Sequence, residues 1–274
     1  MMFGLFFTLL GTAGSLAIYA ACAPFRDSPF SDQVLTTERN LNSRALDRLG
    51  DIERDGKIRI AMISDIHQNY ADFDQVLYAI NQTTHIDFVA NLGDFTNSGY
   101  NLEYDQFVDS YRTFRAPAFT LIGNHDSLGA GPQIFEKVLG PVDFYFESAS
   151  YRFIFFNSAN LENPEQFSPE WLKSTVDAST KPVLIFSHCS LQDPERFTGA
   201  TALLMNSVLQ DSKVKIILNG HNHVYNLASD SSGTALLQIA RVQGNSWALL
   251  EITGNSLKIT QKNNGFETVV PLKP

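Results

Sequence analysis

Five polar motifs stand in fixed order along the 274 residues: Ser64-Asp65-Ile66-His67, Gly93-Asp94, Gly123-Asn124-His125-Asp126, His188 and Gly220-His221-Asn222-His223. Their side chains offer carboxylate, carboxamide and imidazole donors and no thiolate, a set that suits Mn, Fe or Zn. Asp94 carries two oxygens, enough to bridge two cations about 3.5–4 Å apart. Two cations flanking one water lower its pKa and hold it as hydroxide, aimed at an electrophile.

Such residues need elements that bring them together. Each motif except His188 is read as following an apolar run: Ile58–Ile63, Ile86–Leu92, Phe119–Ile122 or Val214–Leu218. Runs of this length and β-branched content are buried strands, so the polar residues fall at strand ends and converge at one edge of a sheet. In an extended chain residues i and i+2 point the same way, which lets Asp65 and His67 share one ion and turns His221 and His223 to one pocket. Gly93, Gly123 and Gly220 permit tight turns and close backbone approach just before the donors. Taken singly, each motif has an ordinary structural reading. Gly-Asp is a turn, Asn and Asp favour turns, and His188 alone is the weakest signal. Their force is joint, because five of the six histidines occupy ordered motif positions and only His85, in a polar link, is left over.

The complete set resembles the calcineurin-like metallophosphoesterases: Asp-x-His, Gly-Asp, Gly-Asn-His-Asp, His and Gly-His-x-His, in that family's order from about Ile58 to about Ala240. The resemblance implies an α/β fold with mixed sheets, a four-layer αββα sandwich with a dinuclear site at strand ends. It implies that Asp65, His67 and His223 ligate the first metal, that Asp94 bridges, and that Asn124, His188 and His221 ligate the second. His125 would stand near the leaving group with Asp126 orienting it. The implied reaction is hydrolysis of phosphodiesters or phosphomonoesters by a metal-bridging hydroxide, on a small phosphoester substrate. The pattern is nearer to the cyclic-nucleotide and nucleotide phosphodiesterases than to the purple acid phosphatases, since no iron-ligating Tyr follows Asp-x-His at their spacing. After His188 the chain reads Cys189-Ser190-Leu191 where relatives often carry Pro-containing loops, a departure that bears on substrate preference.

Composition narrows the alternatives. A formal charge of −9 argues against a long nucleic-acid track, and the densest basic stretch, Arg39 to Arg59, is interleaved with Asp47, Asp51, Glu53 and Asp55. A nuclease is therefore the runner-up among enzymes. A membrane-tethered scaffold that keeps metal only for stability is the non-catalytic alternative, and it has no need of His125. Residues 1–25 carry no charged side chain and are read as a signal or anchor segment. Tyr19-Ala20-Ala21-Cys22 resembles a bacterial lipoprotein cleavage site, whereas an uncleaved span needs about 20 apolar residues. Both readings hold the protein at a membrane outside the cytoplasm. Cys22 and Cys189 are the two cysteines, so lipidation of Cys22 leaves no intramolecular pair, and Cys189 is read as a small buried filler.

Residues 26–56 are expected to form a tether and an N-terminal helix over Thr36–Leu49, and residues 57–274 the catalytic domain. Apolar spacing at Phe73, Val76, Leu77 and Ile80, and at Tyr104, Phe107, Val108 and Tyr111, predicts two amphipathic helices. A hairpin is expected over Phe144–Glu147 and Tyr151–Asn157, a short helix over Pro169–Val176, and strands over Thr234–Ala240, Ser246–Ile252 and Leu257–Gln261. The loops Ser127–Gln133 and Cys189–Thr198 would frame the substrate, and Arg241 is a candidate grip for phosphate.

Overall fold

Ile58–Ile63 is apolar at every position but Arg59, and as strand β1 it is buried along almost its whole length. A strand apolar on both faces belongs at the centre of a covered sheet, and that is where β1 lies. The computed structural model describes residues 28–273. In chain order these form α1 (Leu41–Arg48), β1, α2 (Tyr70–Gln82), β2 (Phe88–Asn91), α3 (Asn101–Tyr111), β3 (Ala118–Thr120), α4 (Gly131–Val138), β4 (Phe144–Glu147) and β5 (Arg152–Phe156). There follow a 3₁₀ turn at Pro164–Gln166, α5 (Pro169–Asp177), β6 (Val183–Ser187), α6 (Gly199–Leu209), β7 (Val214–Asn219), β8 (Asn226–Ser229), β9 (Ala235–Gln238), β10 (Ala248–Thr253), β11 (Ser256–Gln261) and β12 (Glu267–Pro271).

Two six-stranded sheets result, in the orders β12-β11-β10-β1-β2-β3 and β4-β5-β6-β7-β9-β8. β1, β2 and β3 run parallel, as do β5, β6, β7 and β9, so all the motif-bearing strands deliver their C-terminal ends alike. Side chains alternate between faces along each strand. Ile60, Met62, Phe88, Phe119, Phe155, Phe186 and Leu218 meet in one core between the sheets, where Phe186 stacks on Phe155 with ring centres 4.5 Å apart. Ala61, Ile63 and Val89 face outward onto Phe73, Phe107 and Ile134 of α2, α3 and α4. Ile154, Ile185 and Ile217 face Leu172, Met205 and Val208 of α5 and α6. The four layers are helix, sheet, sheet, helix.

Several local expectations are corrected. The first described helix is shorter than Thr36–Leu49. Leu35 and Thr36 give their N–H groups to the Asp105 carboxylate (3.0 and 2.8 Å), and Asn40 turns through the left-handed region (φ 51°), so the helix starts at Leu41. His188 does follow an apolar run, the fully buried strand β6. The Ser127–Gln133 loop is cut short by α4, which begins at Gly131-Pro132, a proline position that costs no helical hydrogen bond. β8 and β12 are edge strands, mostly exposed, whose side chains carry little apolar signal. Residues 1–25, with Cys22, lie outside the described residues, within which no helix is long and apolar enough to cross a membrane.

Candidate metal centre

Every candidate ligand lies just beyond a strand end: Asp65 and His67 after β1, Asp94 after β2, Asn124 and His125 after β3, His188 after β6, His221 and His223 after β7. The backbone there is not the extended chain that an i, i+2 pairing requires. Asp65, His67, Asp94, His221 and His223 all have positive φ, between 44° and 75°. The two pairs still share a pocket, but through left-handed turns. Non-glycine residues in that region cost about 1–3 kcal/mol each, and such strain persists only where neighbours fix it. Here Asp65 and His67 donate their N–H groups to the carbonyls of Gly93 and Asp94, both at 3.0 Å. The glycines admit the close approach: a Cβ on Gly123 would lie 2.1 Å from Asp94 Oδ1, and one on Gly220 1.9 Å from Ser64 Oγ.

The side chains gather into two clusters of lone pairs. His67 Nδ1 meets the side-chain oxygen of Asn97 at 3.2 Å, which places the proton on Nδ1 and leaves Nε2 as an acceptor. That Nε2 stands 3.2 Å from His223 Nε2, 3.6 Å from Asp94 Oδ2 and 3.9 Å from Asp65 Oδ1. On the other side His188 Nδ1 donates to the Leu92 carbonyl at 2.7 Å. Its Nε2 faces Asn124 Oδ1 and Asp94 Oδ2, each at 3.0 Å, with His221 Nδ1 at 3.3 Å. Asp94 Oδ2 belongs to both clusters. Asp65 Oδ1 is buried, 3.4 Å from His223 Nε2, and no donor satisfies it. Acceptors packed this closely repel unless a cation or proton sits among them, so the donor set fits two divalent ions.

The electrostatics agree. Burial alone would raise the Asp94 carboxyl, but the adjacent His188 imidazole outweighs it and holds the group down at about 2. Burial would lower His188, yet the Asp94 charge and hydrogen bond push it up to about 9. Asp65 is lowered despite its burial, through His223 and His188. Burial, with repulsion among the imidazoles, lowers His67 and His221.

His125 and Asp126 part company. The expectation that Asp126 orients the His125 ring is corrected: His125 Nδ1 meets the Asn97 carbonyl at 2.7 Å. The Asp126 carboxylate is fully buried and takes the N–H groups of Asp94 (2.7 Å), Thr96 (2.8 Å) and Gly123 (2.9 Å) and the Thr96 hydroxyl (2.9 Å). Burial, and then the Asp94 charge, push it up to about 7 against those donors. Asp126 therefore ties the loops after β2 and β3 together, and the bridge with them. Asn97 lies outside the five motifs, three residues beyond Asp94 in the polar Thr96-Asn97-Ser98-Gly99 turn, and yet it touches both His67 and His125. Its loop is clamped by the buried Glu103, which accepts the N–H groups of Asn97, Ser98 and Tyr100 at 3.1, 3.0 and 2.9 Å. The Cys189 thiol approaches His188 and His221 within 4.8 Å, is fully buried, and is pushed well up by that burial, in keeping with a protonated filler. Arg241 donates its backbone N–H to the His223 carbonyl at 3.3 Å.

The calcineurin-like phosphoesterase profile matches residues 58–225, from β1 through the last histidine motif. This chain belongs to the calcineurin-like phosphoesterases. It is 26% identical over 210 residues to the 3′,5′-cyclic adenosine monophosphate phosphodiesterase CpdA of Escherichia coli K12, covering 67% of this chain and 75% of that protein. The fold matches a dimetal phosphatase from Danio rerio with a TM-score of 0.61 at 15% identity, over 78% of this chain and 98% of that one. It also matches a purple acid phosphatase from yellow lupin seeds, with a TM-score of 0.61 at 13% identity over 78% of this chain and 54% of that one. As a calcineurin-like phosphoesterase the protein is a hydrolase of phosphoester bonds, in a family that works with two metal ions.

Proposed function

We propose that the protein hydrolyses small phosphodiesters, with phosphomonoesters as the second substrate class, using two divalent ions drawn from Mn, Fe and Zn. One observation carries this reading: two clusters of acceptors share Asp94 Oδ2, which stands 3.6 Å from His67 Nε2 and 3.0 Å from His188 Nε2. Asp65, His67 and His223 would hold one ion, Asn124, His188 and His221 the other, with Asp94 between. Two ions there would supply Lewis acidity to the phosphoryl oxygens and lower the pKa of nearby water. The chain's own residues do the rest. Asp126 keeps Asp94 and the Gly123 turn in register. His125, its Nδ1–H held by the Asn97 carbonyl, presents Nε2 to the departing oxygen and passes it a proton when both ring nitrogens carry one. The diester preference is supported by the likeness to CpdA.

The test is a panel with added Mn: cyclic nucleotides, nucleotides, bis-aryl phosphates and phospholipid headgroup esters. Turnover of diesters above monoesters is the expected result. Monoester turnover exceeding diester turnover throughout the panel would overturn the preference.

We further propose that residues 1–25 anchor the protein at a membrane outside the cytoplasm, through lipidated Cys22. The reading is supported by the absence of charge in that stretch and by Tyr19-Ala20-Ala21-Cys22. Cys22→Ser should abolish labelling by a fatty-acid analogue and release the protein. Unchanged retention would leave the spanning segment as the anchor.

A further inference from the structure

The arm that leads into the domain runs beside the loop that holds the histidines. Asn101 donates its backbone N–H to the Pro29 carbonyl at 3.3 Å, and its side chain reaches the Ser28 carbonyl at 3.2 Å. Phe30 sets its ring edge-on to Tyr100, centroid to centroid 5.0 Å. Tyr100 ends the turn that begins at Asn97, which touches both His67 and His125. Across that turn, Gly99 lies against the Leu128 carbonyl: a Cβ there would stand 2.3 Å away, and Leu128 itself follows His125 by three residues.

Four large apolar side chains are exposed on this side, as others are elsewhere on the described surface. Phe30 is 64%, Leu35 57%, Leu102 50% and Leu128 39% accessible. Pro29, Val34, Leu35 and Leu102 line one shallow cavity between the arm and α3. Scattered exposed leucines are ordinary, but a group of them beside a catalytic loop marks an interaction surface.

The chain that precedes the arm says what covers it. Residues 1–25 carry no charge, and Phe30 follows Cys22, the lipid attachment point, by eight residues. Eight residues, fully extended, span at most about 29 Å. With Cys22 held at a bilayer, Phe30 and its neighbours are held within about that distance of it. A large apolar side chain so close to an interface gains by entering it, aromatic rings especially.

We propose that Phe30, Leu35, Leu102 and Leu128 form an apolar rim that seats on a lipid bilayer, so that the dinuclear site opens at the membrane surface and takes phosphodiesters presented by lipid in preference to the same group in water. This rests on the membrane-anchor reading above and gives it an orientation.

The experiment uses the full chain reconstituted into phosphatidylcholine vesicles whose acyl chains carry bromine, a short-range quencher of indole emission. Phe30→Trp and Leu102→Trp are compared with Leu203→Trp, on α6 over the other sheet. Phe30→Trp and Leu102→Trp are expected to shift to shorter wavelength and lose emission, while Leu203→Trp keeps both. Vesicle-bound protein in which the three variants are quenched alike, or none is, would overturn the orientation while leaving the anchor intact. Recovery of the chain apart from the vesicles would instead overturn the anchor, and this inference with it. A second readout is the doubly substituted Phe30→Asp, Leu102→Asp chain, in which the centre is untouched. Its hydrolysis of an acylglycerol phosphodiester in the vesicle should fall several-fold, with bis-p-nitrophenyl phosphate in water unaffected. An equal fall on both substrates would also overturn the proposal.

Discussion

A buried carboxyl and a half-buried one behave in opposite ways. Asp94, at the end of β2, is held down at about 2, whereas Asp143, just before β4, is pushed up to about 7. Burial acts against the charge of both. The difference lies in what faces them. Asp94 Oδ1 takes the His125 N–H at 2.9 Å, and Oδ2 faces the imidazoles of His188 and His67. Asp143 takes the Asn157 N–H at 2.6 Å, and among the described residues no cation offsets its burial. Burial alone raises a carboxyl; a buried acid that stays ionised, as Asp94 does, has positive charge provided for it. In the metal-free protein the raised His188 supplies that charge, and divalent ions would supply more.

The largest effect should follow from removing the charge at Asp94. Asp94→Asn keeps the shape but takes away the anion common to both clusters, so at least one metal should be lost and turnover should fall by several orders of magnitude. Metal content per chain and kcat check this together. Two metals with near-normal turnover would break the contrast, for Asp94 would then be no more special than Asp143.

Next comes His125, which touches the Asp94 side of the centre through its backbone but offers its ring to substrate. His125→Ala should retain both metals. Loss of a general acid typically costs about 10²–10⁴-fold. The cost depends on how basic the leaving oxygen is, so alkyl esters should suffer and p-nitrophenyl esters should keep much of their rate. If both ester types fall equally with metals retained, His125 only positions the phosphate; loss of metal would make it a ligand.

Asp126 sharpens the comparison from within the site. It carries three backbone N–H groups and a hydroxyl, and a buried donor left without its acceptor costs about 1–3 kcal/mol. Asp126→Asn replaces one acceptor oxygen with a donor, so it should lower the unfolding temperature and slow both ester types by the same factor. A leaving-group-dependent loss like that of His125→Ala would show instead that Asp126 acts through the His125 ring.

Much of this centre could be read from the residues alone. The runs ending at Ile63, Leu92 and Leu218 are mostly apolar, broken only by Arg59, by Asp87 and Asn91, and by Lys215, and burial on both faces leaves a strong apolar signal. The polar motifs then stand out by contrast. Three kinds of feature were not legible. One is backbone sign: nothing in Asp65-Ile66-His67 announces left-handed turns, which arise from pairing with Gly93 and Asp94 across β1 and β2. Another is main-chain partnership, since the Asn97 carbonyl orients His125 and a carbonyl leaves no trace in residue type. The last is the exposed edge, where β8 and β12 carry Asn, Ser, Glu and Thr and are defined by their pairing with β9 and β11.

The smallest effect belongs to Asp143, and it isolates the other half of the comparison. An unfolded Asp titrates near 3.9, whereas this one titrates at about 7 in the fold. Between those values the folded chain keeps a proton that the unfolded chain has released. Stability therefore falls as pH rises from about 4 to about 7, and stays at the lower level above that. Asp143→Asn is neutral at all these pH values and its side-chain oxygen can still accept the Asn157 N–H. The variant should exceed the parent a little at pH 5, where only part of that loss has occurred, and by more at pH 8. A change of 1 kcal/mol corresponds to about 2–4 °C in a domain of this size, so the gain at pH 8 should exceed that at pH 5 by several degrees. Thermal unfolding of both proteins at the two pH values, with chelator present to silence metal effects, reads the difference directly. A shift of equal size at pH 5 and pH 8 would mean that Asp143 is not the titrating group, and that burial without a counter-charge leaves no mark on this fold.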